Sequence, residues 1–218
     1  MMIGELLGVG RTADVYALDD GRVLRRYRDG SDTAGELAVM AHLARHDYPV
    51  AAAWPGTAPG ELVMERLAGP TLREALASGT TGPEEAGELL ADLLRRLHAI
   101  PARHSADPAH RILHLDFHPE NVMLAPRGPV VIDWDTAGEG EPGLDVAMSA
   151  LILAQAAVTM PVVAELARAL LVPFLRRLEP PTEGQLEQVR AIRAANPTLT
   201  EAETAGLGQA LELIRAAR

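Results

Sequence analysis

The first third of the chain alternates short apolar runs with one longer stretch of helical period. The runs mix apolar with polar positions, which is typical of strands. They lie at residues 3–7, 13–18, 22–27 and 61–67. Residues 33–46 predict a helix. Its expected apolar face consists of Leu37, Met40, Ala41, Leu43 and Ala44. This part of the chain therefore predicts a small antiparallel β-sheet with one helix.

Turn signals separate the first three runs. Asp19-Asp20-Gly21 joins two of them, and an Asp-Gly step between such runs favours a hairpin. Gly8-Val9-Gly10 follows the first run and predicts a tight turn. The sheet is therefore expected to be a meander of neighbouring strands.

The pattern changes to a helical one at Gly69-Pro70. Helices are expected at 71–77 and 83–100, and from residue 146 onward, with short strands at 112–115, 122–124 and 130–132. Thr182 and Thr200 begin capping-box sequences, so the last two helices should start near residues 183 and 201. We predict an α+β chain with an N-terminal lobe at 1–67 and a mainly helical lobe at 68–218, carrying a β insert at 112–132.

Residues 146–164 are uncharged and long enough to cross a bilayer. The apolar content of this segment is mostly Ala. Polar residues and a proline interrupt it, at Ser149, Gln155, Thr159 and Pro161. We therefore predict a buried helix and no membrane contact. The N-terminal residues also lack the basic start of a signal peptide.

Composition limits the kinds of partner. The formal net charge is −10, and all 20 basic residues are Arg. A chain without a basic stripe is not expected to bind nucleic acid, whereas a cationic small-molecule substrate is compatible with this charge. Cys is absent, which excludes disulfides and fits a cytoplasmic location.

Two groups of residues carry chemically active side chains without a clear pattern. His98, His104 and His110 are irregularly spaced and have no acidic cluster beside them, so they are expected to be surface or loop residues. Glu139 and Glu141 are expected to lie in a solvated loop, with contact to a cationic substrate as the alternative.

Phosphoryl transfer from a nucleotide requires amides over the phosphates, a cation, metal ligands and a group that orients the acceptor hydroxyl. Gly8 and Gly10 are candidates for the phosphate-covering turn, because glycine lets the backbone approach phosphate closely. An ordinary hairpin turn is the alternative interpretation. Arg25 is the candidate cation, and Glu36 is a candidate partner for it on the predicted helix. Arg26 should point to the opposite face of the strand.

The segment His114-Leu115-Asp116-Phe117-His118-Pro119-Glu120-Asn121 carries the strongest signal. Asp116 is suited to orient an acceptor hydroxyl and take its proton. Asn121, and Asp133 after the apolar run 130–132, offer the hard oxygen ligands that Mg²⁺ prefers. This spacing predicts a catalytic aspartate beside a magnesium site.

This segment, together with Val131-Ile132-Asp133-Trp134-Asp135, resembles the aminoglycoside phosphotransferase and choline-kinase-like family. The resemblance implies a bilobal protein-kinase-like fold. It also implies ATP or GTP as donor, Mg²⁺, and transfer to a small hydroxyl compound.

The resemblance extends to two further segments. Residues 61–67 look like the hinge of the family, which implies that Met64, Glu65 and Leu67 meet adenine. Asp145 matches the start of a helix that usually anchors the catalytic loop.

Two departures from the family pattern keep other functions open. Arg25 replaces the usual strand lysine, and the part of the chain after Asp145 is short for the family. One alternative is therefore a nucleotide-binding protein with weak or no catalysis. Another is a protein kinase, although His118 stands where protein kinases usually carry lysine, and Asp133-Trp134-Asp135 replaces Asp-Phe-Gly.

Overall fold

The computed structural model describes residues 3–18 and 21–217. The chain forms two compact units. One consists of Met1–Pro70 with Val122–Asp135, and the other of Thr71–Asn121 with Thr136–Arg218.

The first unit is built on a five-stranded antiparallel sheet with the order β1-β2-β3-β5-β4. Its strands are β1 (Ile3–Val9), β2 (Ala13–Leu18), β3 (Arg22–Tyr27), β4 (Ala53–Pro55) and β5 (Glu61–Glu65). The register of β2 and β3 pairs Ala13 with Tyr27, as a hairpin requires. Asp19 and Asp20 of the predicted turn lie outside the described residues.

The turn predicted at residues 8–10 is wrong for Gly8 and Val9, which belong to β1. Gly8 pairs with Val15 and Val9 pairs with Asp14, so β1 continues to Val9. The turn begins at Gly10, whose amide donates to the carbonyl of Ala13 over 2.8 Å. The ladder to β2 prevails over the local turn preference of Gly8.

Helix α1 (Ala34–Arg45) forms where a helix was predicted, but with a different buried face. Ala41 and Ala44 are exposed, whereas Glu36 and Val39 are buried. The expected face is therefore wrong at these alanines. The helix is rotated toward a polar contact made by Glu36, which apolar periodicity cannot detect.

The hairpin β7 (Val122–Ala125) and β8 (Gly128–Val131) packs within the first unit. Its backbone is bound there by two hydrogen bonds, from the Leu124 amide to Pro70 and from the Val131 amide to Pro49, each 2.8 Å long. The compact units therefore differ from the lobes expected from the sequence, because half of the expected β insert groups with the N-terminal sheet.

The second unit is mainly helical, with one two-stranded pair, β6 (Arg111–Leu113) and β9 (Gly138–Gly140). A short 3-10 turn covers Pro119–Asn121. The helices are α2 (Leu72–Ala77), α3 (Pro83–Leu97), α4 (Pro142–Thr159), α5 (Ala164–Arg176), α6 (Glu183–Ala194), α7 (Glu201–Ala205) and α8 (Leu207–Ala216).

Helix α4 is the core of this unit and packs against α5, α6 and α8. It is long and apolar enough to cross a membrane, but 67% of it is buried inside the protein. The expectation of a buried helix in this region is confirmed. The helix ends at Thr159, before Pro161, rather than at residue 164.

The capping boxes at the C-terminal helices are both present. Thr182 and Gln185 cap α6, and Thr200 and Glu203 cap α7. The predicted helix starts at 183 and 201 are confirmed, since the capping interactions are local. Helix α8 follows α7 as a separate helix from Leu207.

Candidate active site

The loop after β6 is held by a buried aspartate at the start of α4. The Asp145 carboxylate accepts hydrogen bonds from the amides of His114 and Leu115, each 2.8 Å long. Leu115 has φ of 63°, a left-handed conformation that is costly for a side chain bearing a Cβ. Asp145 therefore binds the loop at its strained residue, and the anchoring role implied by the resemblance is confirmed.

His98, which caps the C-terminal end of α3, supports this anchor. Its Nε2 lies 3.1 Å from Asp145 Oδ2, and its side chain is 9% exposed. Burial opposes ionisation of Asp145, but the hydrogen bonds and nearby His98 and His114 outweigh it and lower the pKa of Asp145. His98 lies in the turn that follows α3, as a loop residue would, but it is not on the surface, because its imidazole completes a buried hydrogen-bonded network.

The loop brings Asp116 and Asn121 together. The Asn121 side-chain nitrogen donates to the Asp116 carbonyl over 2.9 Å and lies 3.4 Å from Asp116 Oδ2. The Asn121 oxygen, on the other branch of the amide, is the atom suited to a metal. The interaction within the loop thus sets which atom Asn121 offers.

Positively polarised groups flank both oxygens of Asp116. His118 Nε2 lies 3.5 Å from Oδ2, and Arg193 Nη1 lies 3.9 Å from Oδ1. Burial raises the pKa of Asp116, but His118, His114 and Arg193 outweigh this and lower it below the ordinary value. Asp116 is therefore an ionised acceptor suited to hold a hydroxyl hydrogen.

Arg193 was not among the residues singled out in the sequence. It lies near the end of α6, and its Nε donates to Gln155 Oε1 over 2.5 Å. Gln155 is buried in α4, and its amide nitrogen donates to the Glu203 carbonyl over 2.8 Å. A sequence signal that pointed to this connection was Gln155, one of the few polar residues in the largely apolar α4.

The first unit contains the candidate phosphate-binding cation. Arg25 Nη1 lies 3.1 Å from Glu36 Oε1, so the predicted pairing is confirmed. Arg25 Nη2 also donates to Asp133 Oδ1 over 2.5 Å and lies 3.7 Å from Asp135 Oδ2. Tyr27 donates to the second oxygen of Glu36 over 2.8 Å.

These carboxylates control one another's ionisation. Burial lowers the pKa of Arg25, but Asp133 and Glu36 outweigh it and raise the pKa, so Arg25 stays charged. Burial and the charge of Asp133 raise the pKa of Asp135 to about 7. The charge of Arg25 therefore offsets the repulsion among the neighbouring carboxylates of Glu36, Asp133 and Asp135.

The turn after β1 is closed by Arg28. Its guanidinium donates to the carbonyls of Gly10 and Arg11, each over 2.9 Å, and forms an ion pair with Asp14. A Cβ on Gly8 would meet open space, whereas one on Gly10 would lie 3.0 Å from the Ala13 carbonyl. The backbone therefore leaves less room for a side chain at position 10 than at position 8.

The residues expected at the hinge lie at the end of β5. Met64 is buried, and Glu65 and Leu67 are partly exposed. The Glu65 carboxylate accepts from Arg127 over 2.9 Å and from the Ala52 amide over 3.2 Å. Glu65 therefore has a structural role within its own unit, and adenine contact by these residues stays a prediction.

The expectation of a solvated loop is wrong for Glu139, which lies in β9. Its carboxylate accepts hydrogen bonds from the amides of Arg103, His104 and Ser105. Burial raises its pKa, but these three amides outweigh burial and lower it. Glu139 thus fixes a neighbouring loop and does not lie in a solvated one.

The candidate metal ligands fit magnesium by their donor chemistry. Asn121 offers an amide oxygen, and Asp133 offers a carboxylate oxygen besides the one bound by Arg25. Among residues 3–18 and 21–217, no group of three or more His, Cys, Asp or Glu side chains is arranged to hold a metal. Asn121 belongs to the second unit and Asp133 to the first, and each side chain by itself offers the kind of oxygen that Mg²⁺ binds.

Comparison with known proteins identifies the family. The model of the phosphotransferase enzyme family (APH) matches residues 4–112 and 102–184, which is most of the chain. The protein therefore belongs to the phosphotransferase enzyme family. The class of enzyme expected from the sequence, a small-molecule phosphotransferase, is confirmed. No curated protein matches the chain.

Solved structures share its fold. A choline/ethanolamine kinase family protein from Mesorhizobium loti has a TM-score of 0.58 and 16% identity, covering 100% of this chain and 92% of its own. The gentamicin complex of APH(2″)-IIa has a TM-score of 0.60 and 12% identity, covering 98% of this chain and 91% of its own. A thermostable APH(4)-Ia mutant in complex with AMP-PNP and hygromycin B has a TM-score of 0.52 and 15% identity, covering 99% of this chain and 95% of its own. The expected protein-kinase-like α+β fold is confirmed.

Proposed function

We propose that this protein transfers the γ-phosphoryl group of ATP to a hydroxyl group of a small molecule, with Asp116 as the catalytic base. The observation that carries this proposal is the loop from His114 to Asn121, which Asp145 binds at its strained residue Leu115. Such strain is retained where the surrounding structure enforces it, and it concentrates at functional sites.

The reaction needs little from the protein beyond positioning and charge. The acceptor oxygen bonds to the γ-phosphorus while the bond to the bridging oxygen of ADP breaks. The hydroxyl proton passes to the Asp116 carboxylate. Because the pKa of Asp116 is lowered, this aspartate mainly orients the hydroxyl and accepts its proton late in the transfer.

The remaining roles follow the family resemblance. Arg25, paired with Glu36, would hold the α- and β-phosphates, and Gly10 would let the turn after β1 approach them. Met64, Glu65 and Leu67 would meet adenine. One similar structure holds AMP-PNP and another holds ATP, which supports ATP as donor.

Asn121 and Asp133 would hold Mg²⁺. When bound, this ion neutralises charge on the phosphate oxygens. Asp133 would then serve two cations, since one of its oxygens already accepts from Arg25.

The test is ATP-dependent phosphate transfer to a panel of small hydroxyl compounds, followed by mass spectrometry of the products. Asp116→Asn should lower transfer at least about 100-fold, because the hydroxyl loses its proton acceptor. Asp133→Asn and removal of Mg²⁺ with EDTA should have similar effects. Asp107→Asn, an exposed loop change, is the matched control. Equal transfer by wild type and Asp116→Asn would contradict the proposal.

A second candidate is a nucleotide-binding protein with weak or no catalysis. It is favoured by the position of Arg25, which binds Asp133 and Glu36 together. An arginine held by two carboxylates has less freedom to engage phosphates than a lysine. Magnesium-independent binding of ATP that Asp133→Asn does not change, with no transfer to any acceptor, would favour this candidate.

A further inference from the structure

A guanidinium cation and an imidazole lie beside Asp116 within its own unit, although the chain as a whole is acidic. Arg193 Nη1 lies 3.9 Å from Asp116 Oδ1, and His118 Nε2 lies 3.5 Å from Oδ2. The net charge of −10 would by itself suggest a cationic ligand. The charges close to the site affect ligand binding more strongly than the net charge of the chain, because salt screens exposed charges that lie more than about 10 Å away.

Arg193 is fixed in place by a buried polar connection. Its side chain is 12% exposed, and its Nε donates to Gln155 Oε1 over 2.5 Å. Gln155 is 3% exposed and is oriented in turn by the Glu203 carbonyl, 2.8 Å from its amide nitrogen. Burying an amide inside an apolar helix is costly unless its polar atoms are satisfied. Here the oxygen and the nitrogen of the Gln155 amide are both hydrogen-bonded. Gln155 therefore holds the Arg193 guanidinium beside Asp116.

The reacting hydroxyl must lie within hydrogen-bond distance of Asp116. Arg193 lies on the Oδ1 side of this carboxylate, so a group attached near a hydroxyl bound to Oδ1 comes close to the guanidinium. An ammonium there would meet like charge, whereas a carboxylate or phosphate would gain charge-assisted hydrogen bonds from a planar donor suited to it.

Resting on the proposed function, we propose that Arg193 is a specificity-determining residue that selects an acceptor with an anionic oxygen group near its reacting hydroxyl. Gln155 is the positioning residue for Arg193. The anionic group is a carboxylate or a phosphate, which share this chemistry.

The test uses three acceptors of the same length, each tested on the full chain: 4-hydroxybutyrate, 1,4-butanediol and 4-amino-1-butanol. Glycerol 3-phosphate, with glycerol as its neutral partner, separates phosphate from carboxylate. Two quantities are measured for each compound, kcat/KM for transfer from ATP and Kd by calorimetry with AMP-PNP. We expect the wild type to prefer an anionic compound over the amine at least about tenfold, the size of one charge-assisted hydrogen bond.

The variants separate charge from folding. Arg193→Gln should bring the ratio of anionic to cationic acceptor near one, Arg193→Lys should keep part of it, and Arg193→Glu should reverse it. Gln155→Leu should raise KM for the anionic acceptor several-fold with less change in kcat. Arg190→Gln is the matched control, since Arg190 is exposed on the same helix and pairs with Glu187.

The outcomes are distinct from those for the proposed function. A wild type that prefers the amine, shows no preference or binds none of the compounds overturns the role of Arg193, as does an unchanged ratio in Arg193→Gln. Absence of transfer with intact, Arg193-dependent binding of the anionic compound would instead contradict only the proposed catalysis.

Discussion

Arg25 donates a 2.5 Å hydrogen bond from Nη2 to Asp133 Oδ1 while its Nη1 contacts Glu36. The cation that replaces the usual lysine therefore binds the candidate metal ligand directly. Arginine makes this double contact possible because its planar fork presents two nitrogens in fixed directions.

Removing this cation should affect both stability and activity. Arg25→Met leaves Glu36 and Asp133 without their shared partner, so we expect the free energy of unfolding to fall by about 3 kcal/mol. We also expect kcat/KM for ATP to fall at least about 100-fold, with Arg25→Lys closer to wild type. Urea unfolding and steady-state kinetics measure the two effects. Arg26→Met, on the opposite face and paired with Glu61, should leave ATP kinetics nearly unchanged, and equal effects at both positions would refute this assignment.

Asp145→Asn should loosen the catalytic loop. The neutral amide is a weaker acceptor for the Leu115 and His114 amides, so we expect about 2–3 kcal/mol less stability and a lower kcat. The control is Asp92→Asn on α3, whose half-exposed side chain pairs with Arg95 and Arg177 and is remote in sequence from this loop. A variant with wild-type kcat would show that the strained loop does not need this anchor.

The same aspartate predicts a pH dependence. Because the folded-state pKa of Asp145 is lowered, its contribution to stability is present above the unfolded pKa of about 4 and is lost as pH falls through the folded value. Between pH 7 and pH 3, wild type should lose more stability than Asp145→Asn. Urea unfolding at both pH values measures the difference. Identical acid dependence in the two proteins would contradict the shift.

Arg28→Gln should disorder the turn after β1. Its guanidinium binds the Gly10 and Arg11 carbonyls and pairs with Asp14. We expect KM for ATP to rise about three- to tenfold, with nearly unchanged melting temperature, since Arg28 is exposed. Asp14→Asn should reproduce part of the effect, and Arg95→Gln, an exposed change on α3, should not. An unchanged KM in Arg28→Gln would exclude a role in nucleotide binding for the contacts between Arg28 and this turn.

Gly69→Ala should destabilise the first unit. Gly69 has φ of 119°, and a Cβ there would lie 2.2 Å from the Leu124 carbonyl oxygen. Gly128 has a similar φ of 110°, but a Cβ on it would meet open space. We expect about 1 kcal/mol of strain for Gly128→Ala and about 2 kcal/mol more for Gly69→Ala, because the backbones must separate. Thermal or urea unfolding compares the variants, and equal losses would mean that the clash is relieved at no cost.

Much of the fold was predictable because its signals are local. Strand and helix positions followed from period, and the capping boxes at Thr182 and Thr200 from residues three apart. The extension of β1 through Gly8 was missed, since strand pairing outweighed a local turn signal.

The site was predictable only in part. Asp116 and Asn121 lie five residues apart on one loop, so their spacing predicted their contact. The Arg25–Glu36 pairing was also foreseen. Arg193 was not, because nothing in the sequence of α6 indicates that this arginine reaches Asp116.

The sequence by itself determined which residue types were available for phosphoryl transfer and the order in which they occur, including an arginine where a lysine is usual. Tertiary structure decided which charges meet: Arg25 with Asp133, Asp145 with the amides of a loop 30 residues away, and Arg193 with Asp116. The physical reason is that spacing along the chain governs only near neighbours. Distant ion pairs form where packing of the core buries polar groups that must then find partners.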